Sequence, residues 1–205
     1  MSAIVAPAGR PYGRRADAER NRETVLDHAA RLLSEDPAAG MAEIAAESRI
    51  GRATLYRHFP TREALIEAIT ARALDDVERA FAASQLDEGS AREALRRLTA
   101  ALLEIGDRYR FLLVQDTLLT GEERRRDLEA AFRGPILRLF ERGRDGGEFS
   151  RSLSPSWMGA AFGGIIVAVA QEVAMGRMEQ RDAERMVLDT LLHGLVEQAG
   201  PTAEG

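Results

Sequence analysis

The sequence predicts an all-α fold of about nine helices. Apolar residues recur three and four positions apart through most of its 205 residues, as they do along the buried face of a helix. No segment alternates apolar and polar residues with an enrichment in β-branched side chains, which is the pattern of a half-buried strand. We therefore expect the core to form by helix packing alone.

The N-terminal third is predicted to form an arm, three helices and the start of a long helix. Residues 1–16 mix proline, glycine and arginine without periodicity and should form a flexible basic arm. Helices are predicted over residues 17–35, 41–47 and 51–58, and Thr61 is a suitable N-cap for a long helix over 62–83. These bounds assign residues 17–83 to one domain and 84–205 to another. The apolar face of the first helix consists of Val25, Leu26, Ala29, Ala30 and Leu33.

Five further helices are predicted in the second domain. Their approximate bounds are 91–105, 109–119, 122–143, 156–175 and 181–199. Gly106-Asp107 is expected to break the chain between the first two, and Gly134-Pro135 should kink or restart the third. Ser154-Pro155 supplies an N-cap and a proline at the first helical position of the fourth.

Composition and charge exclude several classes of protein. The chain has no cysteine, which excludes disulfide bonds, a cysteine nucleophile and thiolate metal sites. All 28 basic residues are arginine, and the formal net charge is −5. Residues 1–62 nevertheless carry ten arginines against eight acidic residues, a net +2, so the remainder carries −7. The overall acidity therefore conceals a basic N-terminal region that suits nucleic acid.

The helices at 41–47 and 51–58 have the lengths and separation of a helix-turn-helix, which presents its second helix to the major groove. On a helical wheel, Gly51, Leu55 and Phe59 face the core, whereas Ala53 and Arg57 point away. An outward alanine allows close approach to base edges, arginine can bind guanine or phosphate, and tyrosine and histidine suit phosphate oxygens. The predicted DNA-contacting residues are Arg49, Arg52, Ala53, Thr54, Tyr56, Arg57, His58 and Arg62.

The run TLYRHFPTREAL at residues 54–65, preceded by Ile44 and Ala45, resembles the DNA-binding segment of the tetracycline-repressor (TetR) family. The resemblance covers residues 20–69 directly, and the rest of the chain matches the family in length and helical layout. It implies a homodimeric transcriptional regulator, most often a repressor, whose C-terminal helical domain binds a small molecule that releases the operator. The residues alone do not fix whether the effector releases or promotes DNA binding.

Four positions depart from the family pattern. Gly40 and Gly51 stand where the family usually has a serine or threonine cap, and glycine caps a helix nearly as well. Arg49 stands where the family usually has glycine in the turn, so a left-handed backbone there should cost about 1 kcal/mol. Arg62 replaces the usual lysine and keeps its charge.

The last two helices are predicted to form the dimer interface, as the resemblance implies. The helix at 156–175 is apolar nearly all round, which is typical of a helix buried on every side. The alternative is that both helices belong only to the core of one chain. The dimer residues proposed from this pattern are Ala160, Gly164, Ala168, Leu188, Leu191, Leu192 and Leu195. Two such protomers would place two recognition helices in successive major grooves of a near-palindromic operator.

A ligand pocket is expected among large or polar residues of the second domain. The candidates are Leu102, Phe111, Gln115, Phe132, Phe140, Trp157 and Phe162. Their aromatic and amide character favours a neutral or weakly polar hydrophobic effector. The helix at 62–83 would carry the change to the DNA-binding domain.

Other classes of protein fit the sequence less well. The three histidines lack partners at metal-ligand or catalytic spacing and no phosphate-binding glycine loop is present, so we predict no enzyme, metal or cofactor. No signal peptide is apparent, and the apolar window at 157–170 is shorter than the roughly 20 residues of a bilayer span, which predicts a cytoplasmic protein without membrane contact. The remaining alternative is a helical small-molecule carrier or scaffold of the same fold that does not bind DNA.

Overall fold

The structure is a computed structural model that describes the backbone of residues 11–114 and 122–195, and the side chains of residues 21–113 and 132–193. Those ranges contain nine α-helices and no strand, which confirms the all-α prediction there. The helices are α1 (Pro11–Glu35), α2 (Met41–Glu47), α3 (Arg52–His58), α4 (Arg62–Ala83), α5 (Ala91–Arg108), α6 (Arg110–Val114), α7 (Glu122–Asp145), α8 (Pro155–Ala174) and α9 (Gln180–Leu195). The chain divides into two compact units, Met1–Ile69 and Thr70–Gly205.

Unit 1 buries the apolar faces of α1, α2, α3 and the start of α4 in one core. The predicted face of α1 is confirmed, since all five of its residues are at most 2% exposed. The other buried side chains of this core include Ile44, Ala45, Leu55, Phe59, Leu65 and Ile69. Because α3 is only seven residues long, burial of Leu55 and Phe59 fixes which of its faces points outward.

The start of α1 differs from its prediction. The helix begins at Pro11, so residues 11–16 belong to α1 and not to the predicted arm. Proline is tolerated in the first turn because the N–H that it lacks has no partner within the helix there. The bounds of α2 and α4 agree with the sequence, and Thr61 Oγ1 accepts the expected capping hydrogen bond from Ala64 N at 3.1 Å.

Unit 2 packs α5, α6, α7 and α9 around α8. The core includes Leu95, Leu98, Phe140, Met158, Phe162, Val187 and Leu191. By length and composition α8 is apolar enough to cross a membrane, but here it contacts four other helices and buries Met158 and Phe162 in the core. Its predicted cap is confirmed, because Ser154 Oγ accepts a hydrogen bond from Trp157 N at 3.2 Å.

The two predicted interruptions are not helix ends in the structure. The α5 helix continues through Gly106 and ends at Arg108, so the predicted break between α5 and α6 lies at Tyr109. A Cβ atom at residue 106 would lie 3.1 Å from Ala170 Cβ, so the glycine allows a close approach of α5 to α8. The α7 helix does not restart at Pro135 and is one helix from Glu122 to Asp145. Residues 115–121 and 196–205, which include the predicted ends of two helices, lie outside the described residues.

A buried carboxylate links α4 to the end of α5 within unit 2. The hydroxyl of Tyr109 donates to Asp76 Oδ2 at 2.6 Å, and Arg79 and Arg108 pair with the same carboxylate. Burial alone would raise the pKa of Asp76, but the hydrogen bonds from Tyr109 and Arg79 and the nearby positive charges lower it. Burial, followed by the hydrogen bond to Asp76, raises the pKa of Tyr109 to about 12. Tyr109 is therefore neutral and Asp76 charged at neutral pH.

Candidate nucleic-acid interface

The turn between α2 and α3 is held by backbone hydrogen bonds at the end of α2. Arg49 N donates to Ala46 O and Ile50 N to Ala45 O, each at 3.1 Å, which is the Schellman pattern of a helix C-terminus. The residue at the bend of this motif adopts a left-handed backbone, and here Arg49 has φ 55°. The expected strain at Arg49 is thus present, and this turn directs the chain into α3.

The start of α3 corrects one detail of the predicted helical wheel. Gly51 is the N-cap, with an extended backbone, and it is exposed instead of facing the core. A Cβ atom at residue 51 would have no neighbour within 4 Å. Leu55 and Phe59 face the core as expected, and Arg22 of α1 lies 5.5 Å from the centre of the Phe59 ring, a cation–π contact that the sequence did not indicate.

The outward surface of α3 agrees with the rest of the wheel. Arg52, Ala53 and Arg57 are exposed, and Tyr56 is 48% exposed. Thr54 and His58 are half-buried at the margins of this surface. We call Arg49, Arg52, Ala53, Tyr56 and Arg57 the outward face.

The outward face is positively charged because its arginines are not paired with carboxylates. Between Glu47 and Glu63 the sequence has four arginines and no acidic residue. Within the described ranges, none of Arg49, Arg52 and Arg57 forms an ion pair with a carboxylate. Arg31 of α1, in contrast, pairs with Glu35 and Glu47. Among the side chains of unit 1 that the structure describes, the arginines without a carboxylate partner are therefore concentrated on α3 and the turn before it.

Arg62 is less accessible than the sequence predicted. Its side chain is half-buried, and one guanidinium nitrogen donates to Pro37 O at 2.7 Å. This bond ties the start of α4 to the loop after α1. Arg62 therefore stabilises unit 1 in addition to any contact with phosphate.

The predicted ligand residues that the structure describes differ in their exposure. Phe111, Phe140 and Phe162 are at most 1% exposed and belong to the core, and Leu102 packs against that core. Trp157 is 61% exposed, and Gln115 lies outside the described residues. Phe132 is half-buried and lines an open groove of about 550 Å³ together with residues of α4 that the sequence did not single out.

The predicted dimer residues fall into two groups. Ala160, Gly164 and Ala168 are exposed on one face of α8, so in the single chain this helix is not buried on every side. On α9, Leu191 is 2% exposed and belongs to the core of its own chain. Leu188 and Leu192 are half-buried, and the side chain of Leu195 lies outside the described residues.

Known proteins match the chain at the helix-turn-helix and over most of its fold. A family model described as bacterial regulatory proteins, tetR family, matches residues 25–69. The HTH-type transcriptional repressor LfrR of Mycolicibacterium smegmatis is 30% identical to this chain over 105 residues. These residues span 51% of this chain and 56% of that relative, so the match covers only about half the length of each.

Two solved structures extend the match over most of the fold. The TetR-like transcriptional regulator LfrR from Mycobacterium smegmatis, in complex with proflavine, superimposes with a TM-score of 0.69 at 24% identity, covering 87% of this chain and 99% of that one. The TetR transcriptional regulator SCO0520 from Streptomyces coelicolor superimposes with a TM-score of 0.59 at 30% identity, with the same coverage.

Proposed function

Because this chain belongs to the tetR family of bacterial regulatory proteins, we propose that it is a homodimeric one-component repressor whose DNA affinity is controlled by a small molecule. The family and the relatives named above are transcriptional regulators and not enzymes. The observation that carries the proposal is the outward face, which combines an exposed small residue with cations that have no carboxylate partner among the described residues.

Each residue of this surface has a proposed role. Ala53 lets the backbone of α3 approach the floor of the major groove, and Arg52 and Arg57 bind guanine edges or phosphates beside it. Arg49, Thr54, Tyr56, His58 and Arg62 are the proposed phosphate contacts, which fix the position of α3 without reading sequence. A carrier or scaffold without DNA binding has no use for these exposed cations, so the surface favours the regulator.

We propose a dimer for two reasons, which are the spacing of successive major grooves in DNA and the exposed face of α8. Two recognition helices reach successive major grooves when they are about 34–36 Å apart, which predicts a near-palindromic operator. The exposed face of α8 includes small residues at intervals of four, Ala160, Gly164 and Ala168, which permit another helix to pack closely. The half-buried Leu188 and Leu192 of α9 would extend this interface.

We propose that the protein is a cytoplasmic regulator and that an effector binds unit 2 and controls its DNA affinity. The relative LfrR was solved in complex with proflavine, which supports control of this chain by a small molecule. The α4 helix contributes its first eight residues to unit 1 and its remainder to unit 2, so a shift of this helix would reach the DNA-binding unit. We propose that effector binding favours a dimer with wrongly spaced recognition helices and thus releases DNA.

The test is selection of binding sites from a randomised duplex library, followed by titration of the selected site by fluorescence anisotropy. We expect enrichment of a near-palindromic site. Replacing Arg57 by alanine should weaken binding by about 1–3 kcal/mol, selectively at one base pair of each half-site if it reads a base. The matched control is Arg151→Ala, which removes an exposed arginine from unit 2.

Several outcomes would decide between the alternatives. An equal loss on every sequence would assign Arg57 to phosphate. If no sequence is enriched and Arg57→Ala binds DNA as the wild type does, DNA recognition by α3 is refuted and the carrier alternative is favoured.

A further inference from the structure

Arg62 joins the two ends of the segment that contains α2 and α3. Its Nη2 donates to Pro37 O at 2.7 Å, across 25 positions of the sequence. Three residues separate Pro37 from the start of α2, and three separate the end of α3 from Arg62. A hydrogen bond from a guanidinium is stronger than one between neutral groups. The bond therefore fastens the point where the chain enters the helix-turn-helix to the point where the chain leaves it.

The loop before α2 is shaped by hydrogen bonds between residues close in sequence. Ala38 N donates to Asp36 Oδ1 and Ala39 N to Asp36 O, each at 3.0 Å. Gly40, the N-cap of α2, has no side chain that could bond to the first N–H groups of the helix. The N–H of Gly40 itself donates to Glu43 Oε2 at 2.7 Å, in the first turn of the same helix. The bond from Arg62 supplies the connection to α4 that these local bonds lack.

The helices α2 and α3 depend on contacts from outside because each has only seven residues. Helices of this length are not stable by themselves in water, so tertiary contacts decide where they lie. Ile44 and Leu55, each 0% exposed, bury one face of each helix. Apolar burial is non-directional, so it fixes the inward face of a helix more firmly than the position of its ends. A directional hydrogen bond across the ends of the segment restricts that remaining freedom.

The position of Arg62 within α4 is electrostatically unfavourable. It is the first residue of the helix, where the macrodipole is positive and a cation is destabilising. Arg62 also forms no ion pair with a carboxylate among the described residues. Its planar guanidinium has several donors, so Nε and Nη1 remain for an acceptor such as a phosphate oxygen while Nη2 bonds to Pro37 O. A lysine has a single nitrogen and does not hold both acceptors in one fixed geometry.

We infer that Arg62 is a positioning residue for DNA recognition. It holds the loop before α2 to the start of α4 and so keeps α3 in the orientation that presents the outward face. Such preorganisation improves affinity, because less conformational freedom is lost on binding. DNA binding then requires the geometry of the guanidinium and not its charge alone. The effect on DNA rests on the proposed function, whereas the effect on the loop is independent of it.

The experiment compares Arg62→Lys with the wild type in the full chain, because this substitution keeps the charge and removes the guanidinium. Anisotropy titrations of the selected duplex at several salt concentrations give the affinity and its dependence on salt. Arg62→Lys should weaken binding by about three- to tenfold, the equivalent of one hydrogen bond, with an unchanged slope of log affinity against log salt. Amide hydrogen exchange without DNA should be faster at residues 38–41 in the variant. The matched control is Arg31→Lys, since Arg31 is exposed and joins α1 to α2 by its ion pair with Glu47.

Three results would overturn the inference. Wild-type affinity of Arg62→Lys would mean that charge alone suffices, and equal weakening by Arg31→Lys would mean that any loosening of unit 1 has the same effect. Unchanged exchange at residues 38–41 would mean that Arg62 does not hold the loop. Each of these results leaves selection of a DNA site by the wild type intact. A failed selection refutes the proposed function and the role of Arg62 in DNA recognition, while the exchange comparison still decides whether Arg62 holds the loop.

Discussion

Replacement of Arg49 by glycine should change stability and DNA affinity in opposite directions. Arg49 has φ 55°, and a left-handed backbone costs a residue with a Cβ atom about 1 kcal/mol more than glycine. The side chain is exposed and has no ion-pair partner among the described residues, so its removal breaks no ion pair with them. We therefore expect Arg49→Gly to be more stable to urea than Arg49→Ala by about 1 kcal/mol. With a dependence of about 2 kcal/mol per molar urea, the midpoints should differ by roughly 0.5 M.

Both variants lack the same positive charge, so their DNA affinities should fall together. If Arg49 binds one phosphate in each protomer, the slope of log affinity against log salt should become shallower by about 0.9 for each phosphate that is no longer neutralised. Urea unfolding followed by circular dichroism and anisotropy titrations at several salt concentrations supply the two measurements. Equal stability of the glycine and alanine variants would refute the argument from backbone strain, and an unchanged salt slope would remove Arg49 from the interface.

Three other predictions concern association, DNA affinity and pH. Gly164→Leu should convert the proposed dimer to a smaller species in sedimentation velocity. A Cβ atom at residue 164 has no neighbour within 4 Å in the chain itself, so the leucine would disturb the interface and not the fold of the protomer. A dimeric variant would place the interface elsewhere, and Ala83→Leu is the exposed control. Wild-type affinity for the selected duplex should fall steeply with salt, by about 0.9 in slope for each neutralised phosphate, and a flat response would contradict the phosphate contacts. Tyr109 contributes stability that is complete below pH 10 and is lost as pH rises towards 12, because its pKa is raised from 10.0 to about 12 on folding. Tyr109→Phe should be less stable than the wild type by about 1–3 kcal/mol at neutral pH. Urea unfolding at pH 8 and at pH 11.5 should show that the variant lacks the alkaline loss of stability. A parallel loss in both proteins would exclude Tyr109 as the source of the pH dependence.

Local chemistry explains why the starts of α4 and α8 were predictable. Thr61 and Ser154 are capping residues whose side-chain oxygens bond to N–H groups three residues later, a relation contained in a few consecutive positions. The apolar face of α1 and the outward face of α3 follow from periodicity in the same way. In a seven-residue helix, burial of Leu55 places Ala53 and Arg57 on the opposite side, and Arg52 is exposed because it begins the helix.

Non-local contacts explain the errors. The local sequence at Gly106 favours a helix break, but in the structure this glycine is the point where α5 meets Ala170 of α8. Glu78 and Phe132 line one groove although they are more than 50 positions apart, and no spacing rule relates them.

The sequence by itself determined the helical class, the family and the positive surface of α3, because each depends on residue types at fixed short intervals. Only the tertiary structure decided which face of α8 remains uncovered and which carbonyl oxygen the guanidinium of Arg62 binds. Periodicity predicts that a helix has an apolar face, but packing over the whole unit decides which neighbours cover that face.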